Sequence, residues 1–256
     1  MIKEIYKRFV SERKRIHIHL FINKMTSIFY RGNIFYCNCC NRSFRKFKPR
    51  GNTLVQRENA ECPYCGSLER VRNLLFYIEK ETDLLTGRYS LLHFAPEWPL
   101  LPIFKKNKNL YHIKADINQN VAQFKIDITN IPVPNDSFDF IICSHVLGHV
   151  QNEKKAIEEL YRVLKTGGTA LVATLIDLKN PHTFETADAD TPEKRLQYYS
   201  EPDLLRLHGT DFGDRLAQGG FNVETINYPL VLGKEIQQKY ALGAGSRELI
   251  FKCTKN

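Results

Sequence analysis

The sequence predicts an α/β fold, with a doubly wound, mostly parallel sheet of seven strands that follows a small N-terminal cysteine-rich module. From Ser67 onward, short apolar stretches of strand length alternate with amphipathic stretches of helix length. This pattern is typical of βαβ units that place helices on both faces of a parallel sheet. Before Ser67, five of the seven cysteines lie within residues 37–65. We therefore expect a module over 1–66 and a body over 67–256.

The body contains seven candidate strands and four candidate helices. The strands are expected over 89–93, 111–115, 124–126, 138–143, 169–176, 221–228 and 247–253. The helices are expected over roughly 68–78, 98–107, 153–165 and 211–219, the first with Ser67 as its N-cap. Because ligands bind at the carboxyl ends of the strands in such sheets, functional residues are expected there.

Composition indicates a globular protein in which charge is unevenly distributed. Of the 256 residues, 43% are hydrophobic and 25% are charged, which argues against a disordered or fibrous chain. Residues 1–50 contain 13 Lys and Arg against two acids, whereas residues 51–256 contain 24 against 26. A near-neutral body thus follows a basic head. This distribution argues against a protein that coats nucleic acid with its whole surface.

The location of the protein is predicted from what the sequence lacks. It has no apolar run of the roughly 18 to 20 residues that a membrane-spanning helix needs. Its N-terminus has no clear secretory signal, and seven clustered cysteines are a poor basis for a disulfide scaffold. We therefore expect a reducing, cytoplasmic setting.

The basic head is expected to begin with an amphipathic helix. Apolar residues recur at helical spacing over residues 2–10, and they alternate with polar residues over 16–20, which suggests a short strand or a continuing helix. His17 and His19 are interpreted as surface residues. A solvated helix packed on the body is favoured, and contact of residues 1–50 with RNA or an anionic membrane is the alternative.

Two Cys-x-x-Cys pairs predict a metal site. Cys37 pairs with Cys40, and after 21 intervening residues Cys62 pairs with Cys65. Four thiolates with this spacing suit one tetrahedral Zn²⁺, and because they fill its coordination shell the zinc would be structural. A redox Cys-x-x-Cys is the competing interpretation. Cys39 is interpreted as a spare thiol, although its use as a ligand stays open.

Acidic residues follow the predicted strands of the body. Asp116 lies 23 residues after His93, the end of the first strand, and an acid at this distance can accept both hydroxyls of a ribose. Asp127 stands beside a Pro-containing turn, where its carboxylate could hold the exocyclic amine of adenine. These positions indicate a cofactor that contains a nucleoside.

The stretch from Asp127 to Gly168 resembles the class I S-adenosylmethionine-dependent methyltransferases, in particular their type 11 group. The resemblance is most specific over DITNIPVPNDSFDFIICSHVL and ELYRVLKTGG, and in outline it covers Ser67 to Lys255. One subset of this family has an N-terminal zinc ribbon. The segments CPYCGSLER, LHFAPE and TPEKRLQYYSEPDLLRLHGTDFGDRLAQGGF resemble that subset. The resemblance implies a Rossmann-like sheet.

The resemblance also implies roles for individual residues. Asp116 would hold the ribose of S-adenosylmethionine, and Asp127 and Ile128 would hold its adenine. Ser144 and His145 would line the methionine or methyl end. A loop without glycine takes the place of the family's glycine-rich first motif and would pass beside the methionine part; its residues are His93, Phe94, Ala95 and Glu97.

Three positions depart from the family pattern. Gly148 stands where relatives often have Glu, Leu204 where the subset usually has His, and His208 where it has Tyr. All three are expected to face the acceptor.

The resemblance implies a transfer in which the cofactor supplies the electrophile and the protein aligns the nucleophile with it. A nitrogen or oxygen nucleophile also needs a base. His145 is the first candidate, followed by His208 and Asp203.

We expect a methyltransferase that acts on a small-molecule or glycan-type acceptor, as the near-neutral body favours. An RNA base methyltransferase that grips RNA through its basic zinc head is the alternative among enzymes. A non-catalytic cofactor-binding or scaffolding protein is the alternative outside them.

Overall fold

The computed structural model describes residues 10–243 and 245–256. Residues 2–9 of the helix expected over 2–10 therefore lie outside the described residues. The first described helix, α1, spans Glu12–Thr26 and includes residues 16–20, so the suggestion of a strand there is wrong. An alternation over only five residues does not distinguish the period of a strand from that of a helix. In the helix, Nε2 of His19 lies 2.7 Å from Oε1 of Glu61.

Two antiparallel hairpins form the N-terminal module. In the first, β1 (Arg31–Cys37) pairs with β2 (Arg42–Phe44). In the second, β3 (Lys48–Gly51) pairs with β4 (Gln56–Glu61). The first Cys-x-x-Cys pair begins at the end of β1 and the second follows β4, so the hairpins hold the two pairs side by side.

The body contains the predicted seven-stranded sheet. Its strands are β5 (Ser90–Phe94), β6 (Tyr111–Asp116), β7 (Phe124–Lys125), β8 (Phe138–Ser144), β9 (Leu164–Ala173), β10 (Asn222–Ile226) and β11 (Ile250–Thr254). Their spatial order is β10-β11-β9-β8-β5-β6-β7. Every pairing is parallel except the two made by β11, which runs antiparallel to β9 and β10. The prediction of a doubly wound α/β fold is confirmed.

Helices connect and cover these strands. They are α2 (Glu69–Glu81), α3 (Leu101–Phe104), α4 (Glu153–Val163), α5 (Pro192–Tyr199), α6 (Phe212–Gln218), α7 (Tyr228–Leu232) and α8 (Lys234–Tyr240). Ser67 does not cap α2 as expected. It is fully buried, with its hydroxyl 3.1 Å from the sulfur of Cys37.

No helix within residues 10–243 and 245–256 combines the length and apolar character needed to cross a membrane.

Both faces of the sheet are buried, because alternate residues of its central strands point to opposite sides. Ile142 of β8 and Leu91 of β5 belong to the core that includes the apolar side of α2. Ile141 of β8 and Leu92 of β5 belong to the other core, which includes α4. This three-layer packing leaves the carboxyl ends of the strands free to form a site.

A buried arginine joins the module to the body. Arg72 of α2 is fully buried, and its guanidinium lies 4.7 Å from the centre of the Phe47 ring. It donates hydrogen bonds to four backbone carbonyls, those of Ala60, Ser67, Tyr240 and Ala241, at 2.6–3.1 Å. One side chain therefore ties the second hairpin to α2 and α8.

Candidate functional site

A central cavity of about 560 Å³ opens where β5, β6 and β8 end. Its size is typical of a site for a cofactor or a small ligand. The cavity brings together seven of the residues that the sequence singled out: Phe94, Ala95, Asp116, Asp127, Ile128, His145 and Asp203. These residues come from separate stretches of chain, and the parallel order of the strands places them at one edge of the sheet.

The loop after β5 reaches the cavity through an unusual backbone conformation. Ala95 has a φ of 45°, in the left-handed region that favours glycine. Its N–H donates to the carbonyl of Ala115 on β6 at 2.9 Å, which fixes the turn. Alanine is the smallest residue with a β-carbon, so the loop adopts a glycine-like turn without a glycine.

The other predicted residues of this loop lie behind the cavity wall. His93 is fully buried, and its Nε2 lies 2.6 Å from Oε2 of Glu97. Burial would raise the pKa of Glu97, but the hydrogen bond from His93 and a further one from Ser144 lower it below its usual value. His93, Glu97 and Ser144 do not line the cavity, and their contacts support the loop from beneath.

Asp116 ends β6 at the cavity. One carboxylate oxygen, Oδ1, accepts the N–H of Asn118 at 2.7 Å and so stabilises the turn that follows the strand. Burial raises the pKa of Asp116, and the nearby carboxylate of Glu12 acts in the same direction. Within the described residues, Oδ2 has no hydrogen-bond partner. Asp116 therefore combines turn capping with an oxygen available to a ligand.

Asp127 shows the same division between its two oxygens. Its Oδ1 accepts both the N–H and the hydroxyl of Thr129 at 2.8 Å. Oδ2 has no hydrogen-bond partner among the residues that the structure describes. Ile128, which is 6% exposed, supplies an apolar wall beside it. A carboxylate oxygen next to an apolar surface is a suitable contact for a planar base with an amino group.

His145 lies at the end of β8 in a left-handed conformation, with a φ of 54°. Its Nε2 lies 3.3 Å from the carbonyl oxygen of Arg247. Because a carbonyl can only accept, this contact places the imidazole proton on Nε2 and leaves Nδ1 with a lone pair. Burial lowers the pKa of His145 well below its usual value, and the charges of Arg70 and Arg247 lower it further. The ring is therefore neutral near pH 7.

The other two candidate bases occupy different surroundings. Asp203 lines the cavity with a side chain that is 72% exposed, and its backbone carbonyl accepts from Nδ1 of His149 at 2.9 Å. His208 is 1% exposed and does not line the cavity. Its ring bridges Glu153, at 2.5 Å, and the hydroxyl of Thr174, at 3.1 Å. These contacts hold the His208 ring in the interior, outside the central cavity.

The three departures from the family pattern are neighbours in space. A β-carbon built on Gly148 would lie 2.7 Å from Cδ2 of Leu204 and 3.6 Å from the ring of His208. A residue larger than glycine at position 148 would therefore require the Leu204 side chain to shift. These three residues pack as one unit, whose members suit one another in size.

Several residues of the cavity were missed by sequence reasoning. They are Ile117, Ile126, Thr129, Val146, His149, Val150, Gln151 and Asn152. Asn152 could have been predicted as the N-cap of α4, because asparagine is favoured at the position before a helix. In the structure its side chain caps α4 by accepting the N–H of Lys155 at 3.1 Å. The start of α4 therefore borders the cavity.

The four predicted metal ligands form a compact cluster in the module. Their sulfurs lie within 4.8 Å of one another. The Cys37–Cys65 and Cys40–Cys62 sulfur pairs are 3.6 and 3.8 Å apart. Four sulfurs at about 2.3 Å from one tetrahedral Zn²⁺ would be about 3.8 Å apart. Cys39 lies outside this cluster, near the side-chain oxygen of Asn38. The donor set and its spacing fit zinc.

Comparison with known proteins finds a family match over the part of the chain that contains β6, β7, β8 and most of β9. Residues 103–172 match a family described as a methyltransferase domain. The ubiquinone/menaquinone biosynthesis C-methyltransferase UbiE of Methylococcus capsulatus is 37% identical over 68 residues, which cover 27% of each chain. The protein of the same name from Hydrogenovibrio crunogenus is 33% identical over 86 residues, covering 27% of this chain and 34% of that one. The matched stretches span only about a third or less of the length of these relatives.

Solved structures share the fold over more of the chain. The [4+2]-cyclase SpnF has a TM-score of 0.51 at 13% identity, covering 96% of this chain and 97% of its own. An S-adenosylmethionine-dependent methyltransferase from Archaeoglobus fulgidus has a TM-score of 0.50 at 12% identity, covering 74% and 95%. Since one of these two structures is described as a cyclase, the fold alone does not decide the reaction.

Proposed function

We propose that this chain is a class I methyltransferase of the type 11 group, which transfers a methyl group from S-adenosylmethionine to a small-molecule acceptor. The match of residues 103–172 to a methyltransferase domain supports this proposal. The proposal is carried by two carboxylate oxygens, one on Asp116 and one on Asp127, that have no hydrogen-bond partner in the described part of the chain. Both residues line one cavity at the carboxyl edge of the sheet. S-Adenosylmethionine, when bound, supplies an electrophilic methyl group.

The residues of the cavity suit such a cofactor. We assign the ribose hydroxyls to Asp116, whose free oxygen is a strong acceptor. We assign the adenine to Asp127 and Ile128, which offer an acceptor and an apolar face. The turn at Ala95 brings backbone, not a bulky side chain, to the remaining wall.

His145 is our proposed base. A base must be unprotonated to accept a proton, and the lowered pKa of His145 keeps the ring neutral. Its hydrogen bond to the carbonyl of Arg247 fixes the ring and leaves Nδ1 as the accepting atom. Asp203 is the second candidate in the same cavity. The protein otherwise acts by excluding water and aligning the acceptor.

We propose that the four-cysteine cluster binds one structural Zn²⁺. The sulfur spacing supports tetrahedral coordination, and a shell of four cysteines leaves no position for a substrate. Zinc would then stabilise the module and take no part in the chemistry.

Calorimetric titration with S-adenosylmethionine tests the cofactor assignment. We expect binding by the wild-type protein and an affinity lower by a factor of about 10 to 100 in Asp116→Asn, because a hydrogen bond to a charged group contributes about 1.5–3 kcal/mol. Asp214→Asn is the matched control, since Asp214 is exposed on α6, and its affinity should equal that of the wild type. A wild-type protein that gives no binding heat would refute the proposed function.

A further inference from the structure

A second cavity, of about 300 Å³, adjoins the central one. His145, His149 and Asp203 line both cavities. A group held in the second cavity would therefore lie beside the proposed base. We call it the arginine cavity, because four arginine side chains line it: Arg50, Arg57, Arg70 and Arg247.

Three of these arginines are already matched by carboxylates. Arg57 donates to the buried Glu69. The other two pairs are Arg247 with Glu201, at 2.8 Å, and Arg50 with Glu61, at 3.4 Å. Their charges are largely balanced within the protein, so they contribute shape and hydrogen-bond donors more than net charge.

Arg70 is the exception. Within the described residues, no carboxylate oxygen lies within 4.0 Å of its guanidinium and no acceptor forms a hydrogen bond with it. Burial lowers the pKa of Arg70. The positive charges of Arg247 and Arg57 lower it further, whereas the negative charges of Glu97 and Glu69 raise it. An arginine still keeps its charge in a protein. Arg70 is half-buried at the wall of the cavity, and a bound anion would pair with its charge away from bulk water.

We propose that the arginine cavity binds an anionic group of the methyl acceptor, a phosphate or a carboxylate, with Arg70 as its main partner. The planar guanidinium offers paired N–H donors that match the oxygens of either group. This inference rests on the proposed function, because it concerns the acceptor of the same site. The acceptor is thus a small anionic molecule whose other end reaches His145.

Two acidic residues of the cavity are compatible with an anion. Glu201 is paired with Arg247, and the side chain of Asp203 is 72% exposed, so water and salt screen its charge. Of the four arginines that line the cavity, Arg70 is the one without a carboxylate partner within the described residues.

The cysteine module forms one wall of this cavity. Arg50, Gly51, Asn52 and Arg57 belong to its second hairpin or the turn of that hairpin. Asn52 fixes the turn against the body by donating to the carbonyl of Ser200 at 2.6 Å. The module therefore shapes the acceptor side of the site, in addition to any role in stability.

The test uses two simple anions and the full-length protein. Dissociation constants for inorganic phosphate and, separately, for acetate are measured by NMR titration at constant ionic strength. We expect Arg70→Gln to raise the dissociation constant of the tighter-binding anion at least about tenfold, because the substitution removes charge-assisted hydrogen bonds. Arg70→Lys keeps the positive charge but not the paired N–H donors of the guanidinium, so it should lose less anion affinity than Arg70→Gln. The anion that binds more tightly identifies the acceptor group.

Arg88→Gln is the matched control, because Arg88 is exposed just before β5, at the opposite edge of the sheet. It should bind both anions as the wild type does. If neither anion binds the wild type, or if Arg70→Gln binds as tightly as the wild type or no more weakly than Arg88→Gln, the inference is refuted.

Titration of the same variants with S-adenosylmethionine separates this inference from the proposed function. We expect equal cofactor affinity in the wild type and in Arg70→Gln. Cofactor binding without anion binding refutes the arginine cavity alone. Anion binding that depends on Arg70, in a protein that does not bind the cofactor, supports the cavity as an anion site and refutes the proposed function.

Discussion

At the scale of single residues, burial determines the protonation of His112. His112 on β6 stacks on His93, with ring centres 5.4 Å apart, and its Nε2 is buried without a partner among the described residues. Burial lowers the pKa of His112 to about 3, helped by the charges of His93 and Lys114. The folded protein therefore holds this ring neutral over the whole range in which an exposed histidine takes up a proton.

The stability of the protein should consequently fall in mild acid. Below pH 6.5 the unfolded chain binds a proton at residue 112 that the folded chain does not, so stability is lost as the pH falls from 6.5 toward 3. At pH 5 this amounts to about 2 kcal/mol. His112→Phe keeps a ring that cannot titrate. Between pH 7.5 and pH 5, we expect its free energy of unfolding to fall by about 2 kcal/mol less than that of the wild type.

Urea denaturation at the two pH values measures this difference. His182→Gln serves as the control, since His182 is exposed, and it should behave as the wild type. A pH dependence that is the same in His112→Phe and in the wild type would contradict the low pKa of His112.

At the scale of elements, the two hairpins of the module have little apolar core of their own. The buried residues of the module's apolar cluster are Cys37, Phe44, Phe47 and Cys62, and two of these four are predicted zinc ligands. A module of this size generally needs a metal or disulfide for stability. The cysteine cluster is therefore expected to hold the hairpins together.

Replacing one ligand tests this role. Cys62→Ser should leave the purified protein with well below one equivalent of zinc, and it should lower the melting temperature, because the binding of zinc contributes to the folding of the module. Cys39→Ser is the matched control, since Cys39 lies outside the cluster, and it should retain one equivalent. Metal analysis and thermal denaturation give the two readouts. Full zinc content in Cys62→Ser would exclude the four-cysteine site.

At the scale of the whole molecule, module and body are joined through Arg72. This buried guanidinium is balanced by four carbonyl oxygens from both parts of the chain. Since buried polar groups are costly to leave unpaired, these bonds depend on one another. The arrangement explains how a hairpin of the module can form a wall of the acceptor site.

Removing this guanidinium should separate the two parts. In Arg72→Met we expect a loss of about 3 kcal/mol or more in stability, because several buried carbonyls lose their donor. The second hairpin should also become more accessible to limited proteolysis. Arg88→Gln, with its exposed side chain, should change neither the urea midpoint nor the cleavage pattern. Equal protection of the hairpin in Arg72→Met and in the wild type would show that other contacts hold it.

Much of the fold followed from local patterns. The seven strands of the body were expected within a few residues of their bounds, because buried parallel strands are short apolar stretches between helices. Strand β9 begins at Leu164, five residues earlier than expected, since the glycine-containing segment after α4 pairs with β8. Periodicity did not resolve the short helices α5, α7 and α8 or the four strands of the module, because each of these elements spans eight residues or fewer.

The sequence by itself determined which functional residues come where along the chain. Acidic residues come at the end of β6 and after β7, a histidine follows β8, and four cysteines have the spacing of metal ligands. Only the tertiary structure decided which side chains meet. It placed Asp116, Asp127 and His145 in one cavity, and His208 with Glu153 in the interior. It also brought Arg70 beside an arginine of the module. Such contacts join residues far apart in sequence, and the packing of helices and hairpins on the sheet, not local periodicity, sets them.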